Sequence, residues 1–119
     1  MVQISILKSK INKVRVTHCH KEKDDCCEID GVLLDAANIS KFEQLQIDNS
    51  TNGRVIITHA IRGKDNSGVI SLNGTTANNC GVGDILTISS YASLDIRHLK
   101  NHNQKVCHVD EGNSLVKST

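Results

Sequence analysis

The stretch Ile70-Ser71-Leu72-Asn73-Gly74-Thr75-Thr76-Ala77-Asn78-Asn79-Cys80-Gly81-Val82-Gly83-Asp84-Ile85-Leu86-Thr87-Ile88-Ser89-Ser90 sets the fold class. A short strand over 68–72 breaks at Asn73-Gly74, one helical turn fits 75–79, and Gly81-Val82-Gly83-Asp84 leads into a second strand over 85–90. Short apolar runs bounded by Asn and Gly are strand and turn signals. Upstream, Val14 and Val16 alternate with Lys13, Arg15 and Thr17, the period of a half-buried strand. Residues 19–27, rich in Cys and charge, read as a loop or hairpin tip. Asp30 is placed to cap a short helix with Val32, Leu33, Ala36 and Ala37 on its apolar face, ending near Ile39. Strands are expected over 44–48 and 54–61, joined by a tight turn at Asn52-Gly53, where both residue types tolerate positive φ. A last strand is expected over 106–109, and the tail after Glu111 reads as mobile. Many short strands argue for a β-barrel or sandwich. Helix, polar turn and strand recur over about 31–47 and 75–89, which hints at an internal repeat.

At 119 residues the chain fits a single domain. Aromatic content is 2%, essentially Phe42 and Tyr91, so the core must be built from Val, Ile, Leu and Ala. Such light residues bury little area each, and subunit association is expected to supply the remainder. Charge is nearly even, 14 Lys+Arg against 13 Asp+Glu, and does not demand a polyanion. No apolar run approaches the roughly 20 residues of a membrane helix, and the first residues lack the apolar centre of a signal peptide. With five cysteines in no secreted framework, reduced thiols and a cytoplasmic location are expected.

A series of landmarks follows in order: Lys10, Val14-Arg15-Val16-Thr17-His18, Cys27-Glu28-Ile29-Asp30, Leu34-Asp35-Ala36-Ala37, Thr51-Asn52-Gly53, Ala60-Ile61, Ile70-Ser71-Leu72-Asn73-Gly74 and Val82-Gly83-Asp84-Ile85. Spaced without a gap up to about residue 112, they resemble the aspartate 1-decarboxylase family. The resemblance implies a mainly β fold, a small six-stranded double-psi β-barrel with short helices, assembling as a homotetramer with active sites between subunits. It implies a covalent pyruvoyl group made by self-cleavage, and decarboxylation of L-aspartate to β-alanine and CO2 in pantothenate and coenzyme A biosynthesis. The pyruvoyl ketone would form a Schiff base with the substrate amine, and its amide carbonyl would take up electrons as CO2 departs. The resemblance leaves open whether maturation needs a helper protein.

The family cuts before a serine that follows glycine; here the matching pair is Asp25-Cys26. Cysteine can attack the preceding carbonyl through sulfur, and elimination then leads to a pyruvoyl group. Cutting there would give fragments 1–25 and 26–119. Asp25 in place of glycine gives up backbone freedom at the scissile bond, though it could serve as an acid or base. Lys10 matches the family lysine near the substrate carboxylate, and otherwise reads as a solvated lysine. The family's carboxylate-gripping arginine aligns with Val55, next to Arg54, and a one-residue shift in a strand turns a side chain to the other face. A local bulge at Asn52-Gly53 would restore the reach of Arg54. His59 takes the place of a tyrosine proton donor, a role open to imidazole, or is a plain strand histidine. Thr58 matches a threonine that supports processing. Asn73, Gly74 and Thr75 match a segment whose amides contact the nascent cofactor, and alone would read as a simple turn.

Two other readings stand beside this one. His18-Cys19-His20, Cys26-Cys27 and Cys107-His108 could suggest a metal site, but the spacing fits no common zinc pattern. Lys8, Lys10, Lys13, Arg15, Lys21 and Lys23 crowd the start of the chain, opposed there only by Glu22. A non-catalytic barrel could track phosphates with them, yet the segment has no stacking aromatics. The same positive field would draw in a dicarboxylate. A pyruvoyl enzyme acting on a different amino acid is the remaining alternative.

Overall fold

A computed structural model of the chain describes residues 2–119. Strands β1 (Gln3–Arg15), β2 (His18–His20) and β3 (Cys26–Asp30) precede helix α1 (Gly31–Ala37). β4 (Gln44–Asn49), β5 (Val55–Gly63) and β6 (Ile70–Asn73) follow. After the 3-10 helix Gly74–Asn79 come β7 (Ile85–Asp95), a second 3-10 helix Ile96–Asn101, β8 (Lys105–Val109) and β9 (Leu115–Ser118). The strands hydrogen-bond in the order β2-β6-β3-β5-β4-β7-β1-β8-β9, with parallel pairs β2/β6, β3/β5 and β1/β8 among antiparallel ones. Nine strands form where six were expected, because short edge strands extend the sheet at both ends. Ile11, Val14, Ile29, Leu33, Leu34, Leu45, Ile47, Ile70, Leu72, Leu86 and Ile88 are all but fully buried and form one core.

The internal repeat is visible in the pairing. Each copy runs strand, short helix, strand: β3-α1-β4, and β6, the 3-10 helix, β7. The first strands pair antiparallel, Cys26 opposite Asn73, and so do the last, Ile47 opposite Ile88. This crossing sets β3 between β6 and β5.

Several elements depart from the sequence reading. β1 begins at Gln3, and its length is absorbed by register shifts after Leu7 and Ile11, the second around Lys13 at φ +58°. The span 19–27 is a loop only over 21–25, because His18–His20 finds its partner in the distant β6. Asp30 caps α1 as expected, accepting from the Val32 N–H at 2.9 Å, but the buried residues are Gly31, Leu33, Leu34 and Ala37. In the Asn52-Gly53 turn only Gly53 has positive φ (+76°), and Arg54 precedes β5 rather than opening it. The tail carries β9, whose residues pair with β8. Asn113, 1% exposed, anchors it: its amide N–H groups donate to the carbonyls of Arg15 and Gly68, and its Oδ1 accepts from the Arg15 N–H.

Candidate active site

β3 opens at Cys26, where the sequence leads to the expectation of a cut. Antiparallel pairing with β6 puts Cys26 opposite Asn73. Parallel pairing with β5 puts Cys27 opposite Ala60, the residue after His59. The fold brings together Asp25, Cys26, Asn73, Gly74 and Thr75, with Thr58 and His59 on the adjacent strand β5.

Cys26 is 6% exposed, and the Asn73 Nδ2 donates to its Sγ at 3.3 Å. The Asn73 Oδ1 in turn accepts the Ser71 hydroxyl at 2.7 Å. The Thr76 hydroxyl fixes the same residue's carbonyl at 2.7 Å. Ser71 stands two residues before Asn73 on one face of β6, a pattern within the Ser-x-Asn-Gly motif that carried no role in the sequence reading. The adjacent Cys27 lies in a different setting: it is wholly buried, and burial, then Cys26, Cys80 and Glu28, push its thiol far up. Of the two vicinal cysteines, Cys26 is the one placed for nucleophilic chemistry.

Asp25 is exposed, and its carboxylate accepts from the Thr75 N–H at 2.5 Å and from the Thr75 hydroxyl at 3.0 Å. The anticipated loss of backbone freedom does not bite: the non-glycine residues at positive φ are Lys13, Asn38, Phe42, Asn66 and Asn113, and Asp25 is not among them. The freedom is needed across the sheet. Gly74 has φ +75°, and a Cβ there would strike the Asp25 carboxylate and lie 2.7 Å from its backbone N.

On β5, Ile56, Thr58 and Ala60 point inward, while Val55 and Ile57 are exposed and His59 is half-buried. The Thr58 Oγ1 is buried with no hydrogen-bond partner among the described residues. His59 pairs with Gln44 across β4, and the Phe42 ring meets it edge-on at 6.0 Å. Phe42, Gln44, Ile57, Thr58 and His59 line a cavity of about 440 Å³.

Two candidates stand apart. Arg54 donates to the Asn79 Oδ1 at 2.7 Å, at the far end of the 3-10 helix that Gly74 begins. Asn52 steadies that end too, its Nδ2 reaching the Asn79 carbonyl at 2.9 Å. No feature of the sequence marked Asn79 as the partner. Val55, expected from the sequence to align with the family's arginine, is 60% exposed on the same face as Ile57 and His59. Lys10 is half-buried on β1, which β4 and β7 separate from β5. Its neighbour Lys8 instead pairs with Glu43 at 2.6 Å. Burial pushes the Glu43 carboxyl up, but hydrogen bonds from Lys8, Ser90 and the Ser40 N–H outweigh it and hold the group below the usual range.

The likeness to known proteins covers both fold and site. The family described as aspartate decarboxylase matches residues 2–116. A relative from Ruthia magnifica subsp. Calyptogena magnifica, named aspartate 1-decarboxylase, is 46% identical over 113 residues, covering 95% of each chain. One from Methylococcus capsulatus with the same name is 42% identical over 118 residues, 99% of this chain and 94% of the relative. Among solved structures, the rationally designed protein mkDPBB_sym_86 aligns with a TM-score of 0.51 at 8% identity, over 66% of this chain and 92% of its own. That likeness gives the fold, a double-psi β-barrel. The barrel and the match over nearly the whole length agree, and the chain belongs to the aspartate decarboxylase family.

Proposed function

We propose that the chain cuts itself between Asp25 and Cys26 and then decarboxylates L-aspartate to β-alanine and CO2. On this reading it works in the cytosol and supplies pantothenate and coenzyme A synthesis. The observation that carries the proposal is the Asn73 donor on the Cys26 sulfur at the position where the family is cut.

The steps balance as follows. The Cys26 Sγ attacks the Asp25 carbonyl carbon, the C–N bond between the residues breaks, and the freed amine takes up the thiol proton. Loss of the residue 26 Cα proton then expels the sulfur, so that 1–25 departs as a thiocarboxylate and residue 26 becomes dehydroalanine. Water replaces its nitrogen, ammonia leaves, and residue 26 is a pyruvoyl group. The surroundings suit such a group: Thr58 has a buried hydroxyl to give, and the Thr75 N–H already holds an oxygen anion. When formed, the pyruvoyl supplies an electron sink for loss of CO2. The protein's own work is to hold the substrate carboxylates with Lys10 and Arg54, keep water out, and return a proton to the α-carbon from His59.

Because Lys10 and Arg54 lie away from Cys26 within one chain, the reading includes a homotetramer in which neighbours complete each site. Exposed apolar side chains at Phe42 (65%), Val55 (60%) and Ile57 (57%) beside the His59 cavity support that association. A second reading, decarboxylation of another amino acid, draws on Val55 at the arginine position.

Intact mass under denaturing, reducing conditions is the test, followed by assay of β-alanine from aspartate. Fragments 1–25 and 26–119, the second with a hydrazine-reactive carbonyl, are expected. The first fragment should start heavier than its carboxylate by the difference between sulfur and oxygen, and lose hydrogen sulfide on hydrolysis. A full-length chain that persists after prolonged warming would refute the cut. Processed protein that makes no β-alanine would refute the substrate.

A further inference from the structure

Cys19 and Cys80 take no part in the cleavage chemistry, yet their Sγ atoms lie 3.0 Å apart. Cys19 sits in β2, its place fixed by parallel pairing with Leu72 of β6. Cys80 closes the 3-10 helix, with its Sγ facing the Ala77 carbonyl at 3.8 Å. A disulfide needs about 2.05 Å between the sulfurs, so closure by about 1 Å is enough. Both residues are half-buried, within reach of a small oxidant. The other cysteines are occupied differently: Asn73 donates to Cys26, Cys27 is sealed in the core, and Cys107 faces Ser118 on the far side of the sheet.

We propose that Cys19 and Cys80 are a reversible disulfide site, closed by hydrogen peroxide. The Cys19 sulfur takes an oxygen atom from peroxide, becoming a sulfenic acid and releasing one water. The Cys80 sulfur then attacks the Cys19 sulfur, and the hydroxyl leaves with the Cys80 proton as a second water. Two thiols are oxidised and one peroxide is reduced. Burial, and then Cys19 beside it, push the Cys80 thiol up to about 12, which makes it the slower nucleophile.

The bond would tie β2 to the end of the 3-10 helix whose Thr75 holds Asp25 and whose Asn79 holds Arg54. It also spans the cut position, with Cys19 upstream and Cys80 downstream. If residues 25 and 26 are separated as proposed above, the disulfide keeps fragments 1–25 and 26–119 covalently joined.

The test treats the full chain with a modest excess of peroxide, alkylates the remaining thiols, and maps tryptic peptides without reduction. Cys19 falls in peptide 16–21, Cys80 in 65–97, and Cys26 with Cys27 in 24–41, so each pairing has its own mass. The expected result is 16–21 joined to 65–97, lighter than their sum by two hydrogens, separated by dithiothreitol and absent from C19S and C80S. Alkylation of both cysteines after peroxide, or linkage of 65–97 to 24–41, overturns the proposal. The link between 16–21 and 65–97 reads the same whether or not the chain is cut; in a cut chain 26–41 replaces 24–41, with Cys27 as its thiol. If the link forms but reductant never releases two fragments, the cleavage reading fails and the disulfide stands.

Discussion

Replacing Gly74 by alanine tests how Asp25 is accommodated beside the cut position. The comparison is made in a Cys26→Ala background, so that the chain stays whole. A residue with a Cβ at φ +75° costs about 1 kcal/mol relative to glycine. The new methyl group also overlaps the Asp25 carboxylate and backbone, so Asp25 must move and its bonds from the Thr75 N–H and hydroxyl are lost. Bonds to a charged acceptor are worth roughly 1.5–3 kcal/mol when buried. Asp25 is exposed, and about 1 kcal/mol is a fair figure for the pair here. Gly74→Ala should therefore cost about 2 kcal/mol, a fall in Tm of roughly 8 °C for a domain of this size. Asp25→Ala alone should cost about 1 kcal/mol, and close to nothing once Gly74→Ala is present, because the carboxylate contact is already gone. Urea and thermal unfolding of the four chains at one protein concentration read the cycle. A cost for Gly74→Ala below about 0.5 kcal/mol, or an equal cost for Asp25→Ala in both backgrounds, would refute the reasoning.

Val55→Arg places a guanidinium on the exposed face that Ile57 and His59 share, where the proposed reading expects a carboxylate-binding arginine. A carboxylate gripped by two charge-assisted bonds gains roughly 1.5–3 kcal/mol, so kcat/KM for aspartate should rise about 10- to 100-fold in processed enzyme, while Arg54→Ala, freed of its Asn79 contact, should lower it; no change in either variant would remove both residues from substrate binding. Glu43 gives a pH signature: its folded value is depressed, so its stabilisation is full above the ordinary Glu range and is lost as pH falls through the lower folded value. With Lys8→Met, burial prevails, the folded value rises and the acid-side slope of unfolding free energy should flatten or reverse; an unchanged slope would show that Lys8 does not hold Glu43.

Side-chain chemistry close in sequence was legible, and pairing between distant segments was not. Asp30 announces α1 because a cap acts within a few residues. The buried face of α1 includes Leu34 rather than Val32, because two turns of helix rotate to suit the sheet beneath. β2 and β9 left no pattern: His18–His20 is strand only because β6 lies alongside, and all of Leu115–Ser118 is exposed. Asn113, which secures the tail, reads in sequence as a turn residue, since nothing local shows its amide reaching Arg15 and Gly68. At the site, the β3–β6 group could be named from motifs because the landmarks themselves pair. Arg54 could not be placed, because its direction depends on how a four-residue turn closes and on Asn79.

The replacement of glycine by Asp25 looked like the hardest departure to accept, and the backbone removes that difficulty by leaving the residue at ordinary φ. What the aspartate does instead is occupy the Thr75 N–H and hydroxyl, groups of the segment that a carbonyl at position 26 would need. In the uncut chain those donors are therefore satisfied by a neighbouring carboxylate, tethered one residue away. Cutting changes the tether: residue 25 becomes the end of a short fragment, gains a second anionic group and loses its covalent hold on β3. Repulsion between the two anions and the new freedom of the chain end both weaken its grip on Thr75. On the proposed reading Asp25 occupies these donors until fragment 1–25 departs, and that departure frees them before hydrolysis creates the carbonyl at residue 26.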